Sequence, residues 1–198
     1  MKKLIVASNN QHKIEEIKNI LSKYNLEVVS LKEAGIDIDI EETGVTFEEN
    51  VHIKAKAIKD ITNDVMVLAD DSGLMVDALG GEPGVYSARY SGEHGDTKAN
   101  NRKLLSELKD VSRNERNARF VCAMELIINE ETIINVIGEV HGYIIDEETG
   151  DNGFGYDPLF YYPQFQKTFA QMSGEEKNSI SHRGRALKKL EDEIKTLL

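Results

Sequence analysis

At 198 residues, with 40% hydrophobic and 30% charged side chains, the chain is ordinary single-domain globular material, outside the disordered and fibrous classes. Its formal net charge of -11 excludes a general nucleic-acid binder, which needs a basic face for phosphates, but leaves room for a small phosphorylated ligand. The apolar runs, such as Leu4-Ile5-Val6-Ala7, are strand-sized and exclude a membrane span, and the single Cys122 excludes an internal disulfide. Polar Ser8-Asn9-Asn10 follows the first apolar run at once, so no secretory signal is expected and the reading is a soluble, cytoplasmic protein.

Lys3 to Ala7 reads as a first strand. Ser8-Asn9-Asn10 is a turn with capping chemistry, and Ile14, Ile17 and Leu21 follow at helical spacing. Leu26 to Val29 makes a second strand, and residues 31–45 a loop with the acidic pair Glu41-Glu42. Thr46 and Glu49 form a capping box for a second helix whose apolar stripe is Phe47, Val51, Ile58 and Ile61. Val65 to Ala69 is a strand ending at Asp70-Asp71-Ser72-Gly73, residues 80–95 an irregular glycine-rich loop, and Lys98 to Leu108 a helix. Asn117 to Ile128 and Glu131 to Tyr143 read as a hairpin turning at Asn129-Glu130. A second glycine-rich loop, Gly150 to Tyr156, leads into Leu159-Phe160-Tyr161, and Leu187, Leu190, Ile194 and Leu197 mark a C-terminal helix. With no repeat or linker, the pattern predicts one α/β domain over 1–198 built on a mixed sheet.

Several positions carry chemistry. The segment Ser8-Asn9-Asn10-Gln11-His12-Lys13 joins the carboxyl end of a strand to the amino end of a helix, where free N–H groups and the helix dipole suit an anion. Lys13 adds a positive charge where the dipole alone disfavours one, although a capped turn with a solvent-facing lysine would need no ligand. Lys54 stands in the middle of the stripe formed by positions 47, 51, 54, 58 and 61, with Asn50 one turn before it on the same side. A lysine there meets an anion, reaches a cleft or snorkels its charge to the surface. Glu41-Glu42 before a helix and Asp70-Asp71 after a strand are carboxylates where α/β proteins place their ligands, and one or two such groups suffice for Mg²⁺; an Asx turn closed by Ser72-Gly73 is the plainer reading of the second pair. The glycines around Phe154 would let its ring lie against a flat ligand, or simply form a bend anchoring an aromatic in the core. Ser173 and Glu176 make another capping box, followed by Lys177 and then Ser181-His182-Arg183-Gly184.

The set and order of these blocks point further than any one of them. Ser8-x-Asn10-x-x-Lys13, Glu42-Thr43-Gly44-x-Thr46-Phe47-x-Glu49-Asn50, Ala69-Asp70-Asp71-Ser72-Gly73-Leu74, Pro83 to Arg89, Gly153-Phe154-Gly155-Tyr156-Asp157-Pro158 and Ser181-His182-Arg183-Gly184 closely resemble the motifs of the inosine/xanthosine triphosphate pyrophosphatase family. That resemblance implies a long twisted mixed sheet flanked by helices, two lobes around a central substrate cleft, and a homodimer. It implies Mg²⁺-dependent hydrolysis of non-standard purine nucleoside triphosphates (ITP, dITP, XTP) to monophosphate and pyrophosphate. By the same resemblance Ser8, Asn9, Asn10, Gln11, His12 and Lys13 would cradle the triphosphate, and Lys54 and Lys177 would neutralise its charge. Glu41, or its neighbour Glu42, would hold Mg²⁺ with Asp71, which would also accept the proton of the attacking water. Ser72 would touch the substrate, Phe154 would stack on the base, and Gly155, Tyr156, Asp157, His182 and Arg183 would line its pocket. Two other readings compete: a pyrophosphatase for modified pyrimidine triphosphates, which the Phe154 and Ser181 to Gly184 blocks disfavour, and a non-catalytic nucleotide sensor. The sensor predicts missing carboxylates, whereas Asp71 and both glutamates are present.

Overall fold

The computed structural model of the chain describes residues 2–195. The first apolar run forms β1 (Lys2–Val6), which pairs in parallel with β2 (Leu26–Ser30) and with β3 (Met66–Val76). Between β1 and β2, α1 (Gln11–Leu21) buries Ile14, Ile17 and Leu21, the residues whose spacing predicts it. Thr46 caps α2 (Phe47–Lys59) by accepting the Glu49 N–H, while the Glu49 carboxylate takes the Val45 N–H, one residue earlier than a capping box would place it. Asp60 closes the helix and pairs with Lys56, so Ile61 lies past the end of the predicted stripe and is 57% exposed.

The sequence reading stops β3 at Ala69, but the strand continues through Asp70, Asp71, Ser72 and Gly73 to Val76. Polar residues stay in the strand because lysines reach them from α1 and α2, which offsets part of the cost of burying their carboxylates. The register of β3 with β1 nevertheless ends at Leu68, whose carbonyl accepts the Ala7 N–H. Asp70 and Asp71 therefore sit just past the parallel β1–β3 ladder, the place where α/β sheets present ligand-binding groups.

Downstream, the loop read as irregular contains a 3₁₀ turn, Gly84–Arg89, and leads to α3 (Thr97–Glu107). The hairpin strands are β4 (Asn117–Ile127) and β5 (Ile133–Ile144); β6 (Phe160–Tyr162) and β7 (Lys167–Thr168) extend the sheet in antiparallel fashion. Among the described residues the strand order is β2-β1-β3-β4-β5-β6-β7, parallel at one edge and antiparallel at the other, as a mixed α/β reading requires. The chain divides into two compact units. One runs to Asp71 and adds Cys122–Gly138 and the segment from Arg185 on; the other comprises Ser72–Val121 and Glu139–Gly184. The first has a core around Leu4, Val6, Ile17, Leu68, Met124 and Leu187, and the second around Leu74, Leu104, Phe120, Phe160 and Phe169. No helix among the described residues is long and apolar enough to cross a membrane.

In the second unit, α4 (Gly174–Ile180) is followed at once by α5 (His182–Lys195), whose residues 185–195 belong to the first unit. Leu187, Leu190 and Ile194 on α5 are buried as the periodicity predicts, and Leu197 lies outside the described residues. The Ser181 hydroxyl accepts the Gly184 N–H, and the Gly184 α-carbon presses so closely on α4 that a Cβ would run into the Asn178 carbonyl. Gly184→Ala is expected to cost about 1–3 kcal/mol in urea unfolding through this overpacking. Gly174→Ala, at an exposed position with open space around its Cβ, should melt close to the parent.

Candidate functional site

Two constellations, one in each unit, gather the residues singled out in the sequence. In the first, Lys54 is only 8% exposed, and its ammonium donates to the Asp70 carbonyl at 2.7 Å. It lies 2.9 Å from Glu42 Oε1 and 3.9 Å from Asp71 Oδ1. Lys13, at the start of α1, reaches Asp70 Oδ2 at 3.2 Å. Asn50, wholly buried one turn before Lys54, donates to Asp71 Oδ2 at 3.1 Å and accepts the Gly44 N–H at 2.8 Å, tying the acidic loop to the strand. A Cβ on Gly44 would stand 2.6 Å from Asn50 Oδ1, so that approach requires glycine.

Of the adjacent glutamates, it is Glu42 that the structure brings to Lys54 and Asp71; Glu41 is exposed. In the opening loop, Ser8 Oγ accepts the Asn10 N–H and Asn10 Oδ1 accepts the Lys13 N–H, which shapes the turn. Asn9, Asn10, Gln11 and His12 are exposed there, and the Gln11 amide donates to Glu15.

Charge balance says what this cluster can hold. Three carboxylates (Glu42, Asp70, Asp71) face two ammonium groups (Lys13, Lys54), leaving one excess negative charge. Burial pushes the Asp71 carboxyl up; the Lys54 and Lys13 charges pull it down, Glu42 pushes again, and the net shift is upward. Burial alone would lower Lys54, but the charges of Asp71, Asp70 and Glu42 outweigh it and hold its ammonium above the ordinary lysine range. Among the described residues no three or more His, Cys, Asp and Glu side chains converge as a full metal cage. Two carboxylates with an excess of negative charge fit a hard divalent cation that takes its remaining oxygens from water and a phosphorylated ligand.

The second constellation is built on the glycine-rich loop. Asp157, 2% exposed, accepts the Phe154 N–H at 2.8 Å and the Lys177 ammonium at 2.7 Å, and the same ammonium lies 4.6 Å from the centre of the Phe154 ring. Gly153, at φ +79°, leaves no room for a Cβ beside the Asp157 carboxylate. The Tyr156 hydroxyl donates to the Ser87 carbonyl at 2.7 Å, and burial raises its pKa. His182 stacks on Phe120 with ring centres 4.8 Å apart, and Arg183, 1% exposed, donates to Ser72 Oγ at 3.0 Å. Lys177, expected at the phosphates, is thus held within the aromatic loop by Asp157. Sequence reasoning missed the roles of Asn50, Asp70 and Ser87; for Asn50 the signal was available, an asparagine on the same side of an apolar helix as Lys54.

The molecule is therefore a mixed α/β protein with an acid–ammonium cluster at the end of a parallel ladder and a braced aromatic loop. The chain belongs to the Ham1 family, whose model matches residues 4–193. It is similar to the dITP/XTP pyrophosphatase of Clostridium perfringens, 54% identical with all of both chains covered, and to that of Bacillus subtilis, 52% identical over 96% of each. Among solved structures it is similar to the Ham1 protein of Staphylococcus aureus, with a TM-score of 0.89, 44% identity and complete coverage of both chains. The family expected from the motifs is the family found.

The raised Asp71 pKa has a consequence for stability. A carboxyl whose pKa is higher in the folded chain than in the unfolded one loses stability as the pH rises from its ordinary value through the raised one, so ionised Asp71 is a net cost at neutral pH. In chelator-treated buffer at pH 7, Asp71→Asn is expected to melt above the parent, with the gap closing as the pH falls below the ordinary carboxylate range. A variant that melts below the parent at pH 7 contradicts this.

Proposed function

We propose that the chain hydrolyses non-standard purine nucleoside triphosphates, namely dITP, ITP and XTP, to the monophosphate and pyrophosphate with Mg²⁺. The observation that carries the reading is the buried set Lys54, Glu42, Asp71 and Asn50 at the end of the β1–β3 ladder, with Lys13 beside it. The names of the relatives, matched over the full chain, support the substrate class.

In this proposal Glu42 and Asp71 hold the metal, which would bring Lewis-acid polarisation of the phosphate oxygens to the site. Asp71 accepts the proton of the water that attacks the α-phosphorus. Asn50 holds the Asp71 carboxylate in place for that transfer. Lys13 and Lys54 supply positive charge for the departing pyrophosphate, and the N–H groups at the start of α1, with Ser8 to His12, receive the phosphate tail. Ser72 meets the substrate, and its contact with Arg183 ties it to the base-recognition set.

Phe154, braced by Asp157 and Lys177, offers its ring to the purine, and Arg183 and His182 with loop N–H groups recognise the base edge. Hypoxanthine and xanthine carry an acceptor oxygen at the 6-position, where adenine carries an amino donor. Donors facing a donor leave unpaired polar groups, at about 1–3 kcal/mol each, so ATP is rejected by roughly 5- to 150-fold per mismatch. A cytoplasmic location and a homodimeric assembly belong to the same reading.

The test is to incubate purified protein with dITP, ITP, XTP, GTP, ATP and dTTP, with and without Mg²⁺, and to identify the products. Pyrophosphate and monophosphate from the first three, only with Mg²⁺, are expected. Orthophosphate release would overturn the reaction assigned, and equal rates on ATP and ITP would overturn the base recognition.

A further inference from the structure

Helix α3 carries two consecutive buried asparagines, Asn100 and Asn101, at 4% and 1% exposure. Asparagine is a poor helix former, and a buried amide costs stability unless its groups are bonded, so the pair needs a reason. Asn100 has one in the loop before the helix: its Oδ1 accepts the Ser91 N–H at 2.7 Å, and its Nδ2 faces the Ser87 and Ala88 carbonyls. Asn101 is different. Its Nδ2 donates to Glu148 Oε1 at 2.7 Å and to the Gly155 carbonyl at 3.3 Å, while its Oδ1 is buried without a partner among the described residues. Turning the amide over does not help, because Glu148 and Gly155 both present acceptors. An apolar residue would avoid the orphaned oxygen, so what the position retains is the pair of N–H donors.

One of those donors holds the loop assigned above to the base. Gly155 adopts φ +62° with nothing within 4 Å of where a Cβ would stand, so glycine is there for its backbone conformation and not for space. The Phe154 N–H is fixed by Asp157 and the Tyr156 hydroxyl by the Ser87 carbonyl; Asn101 fixes the carbonyl between them. We infer that Asn101 is a positioning residue for purine recognition, holding the Gly155 carbonyl so that Phe154 is presented in a fixed orientation. Its amide bonds Glu148 and Gly155, both in the second unit, so it acts on binding and leaves the chemical step alone. The inference rests on the assignment of the Phe154 loop to the base.

A swap of polarity separates this role from a structural one. Asn101→Asp removes both donors and sets a carboxylate against Glu148. Adding Glu148→Gln restores a hydrogen bond between 101 and 148 with donor and acceptor exchanged, but leaves the Gly155 carbonyl without its donor. Steady-state kinetics on dITP with Mg²⁺ would be run well below the melting temperature of each variant, so that only folded protein is compared. The double variant is expected to raise KM for dITP roughly tenfold, the loss of one buried hydrogen bond, with kcat within about twofold of the parent. A parental KM, or a fall in kcat with KM unchanged, overturns the inference. Phe154→Ala runs in parallel: if it leaves KM unchanged, the assignment of the loop to the base fails. If it raises KM while the double variant does not, the role of Asn101 alone fails.

Discussion

The first unit is organised around one buried ammonium. Lys54 interrupts the apolar stripe of α2, and once folded it cannot leave its charge unpaired, because an uncompensated buried charge costs about 3–5 kcal/mol. Its three partners come from two places in the chain: the Asp70 carbonyl and the Asp71 carboxylate on β3, and Glu42 on the loop before α2. Asn50 and Gly44 then lock that loop to the strand. The packing of α2 on the sheet and the geometry of the acidic site are thus one constraint. It overshoots neutrality by one negative charge, while burial is the main cause that raises the pKa of Asp71. A cluster tuned for stability alone would balance; this one is left suited to a cation and a polyanion together.

Much of this was legible in the residues. Lys54 was visible because helical periodicity puts it where apolar side chains belong, and the helix bears it out. The end of β3 was not, because a run of Asp, Asp, Ser and Gly looks like a turn unless one knows that Lys13 and Lys54 arrive from helices far away in sequence. Nor could sequence separate Glu41 from Glu42, since neighbours differ only in which way the loop turns them. Ile61 fits the periodicity of the stripe but lies beyond the end of the helix at Lys59. Periodicity reports the faces of elements, while termini and loop conformations depend on contacts that no local pattern encodes.

The second unit solves a different problem, holding an aromatic ring in a defined place on a loop. It does so with polar brackets: a nearly buried Lys177–Asp157 pair, a tyrosine hydroxyl on a distant carbonyl, and an asparagine on the glycine carbonyl. Replacing such a buried pair by apolar residues is often neutral or stabilising, so its presence is better explained by what it positions than by what it stabilises. The resemblance assigns Lys177 to the phosphates, and its ammonium also rests on Asp157 and over the Phe154 ring.

The central claim is that Asp71 directs water to the α-phosphorus while the lysines favour departure of pyrophosphate. Hydrolysis of dITP in water enriched in heavy oxygen tests it most directly, by mass spectrometry of both products. The account predicts that the label enters the monophosphate alone. Label in the pyrophosphate would mean attack at the β-phosphorus, and would contradict the placement of Asp71 in the reaction.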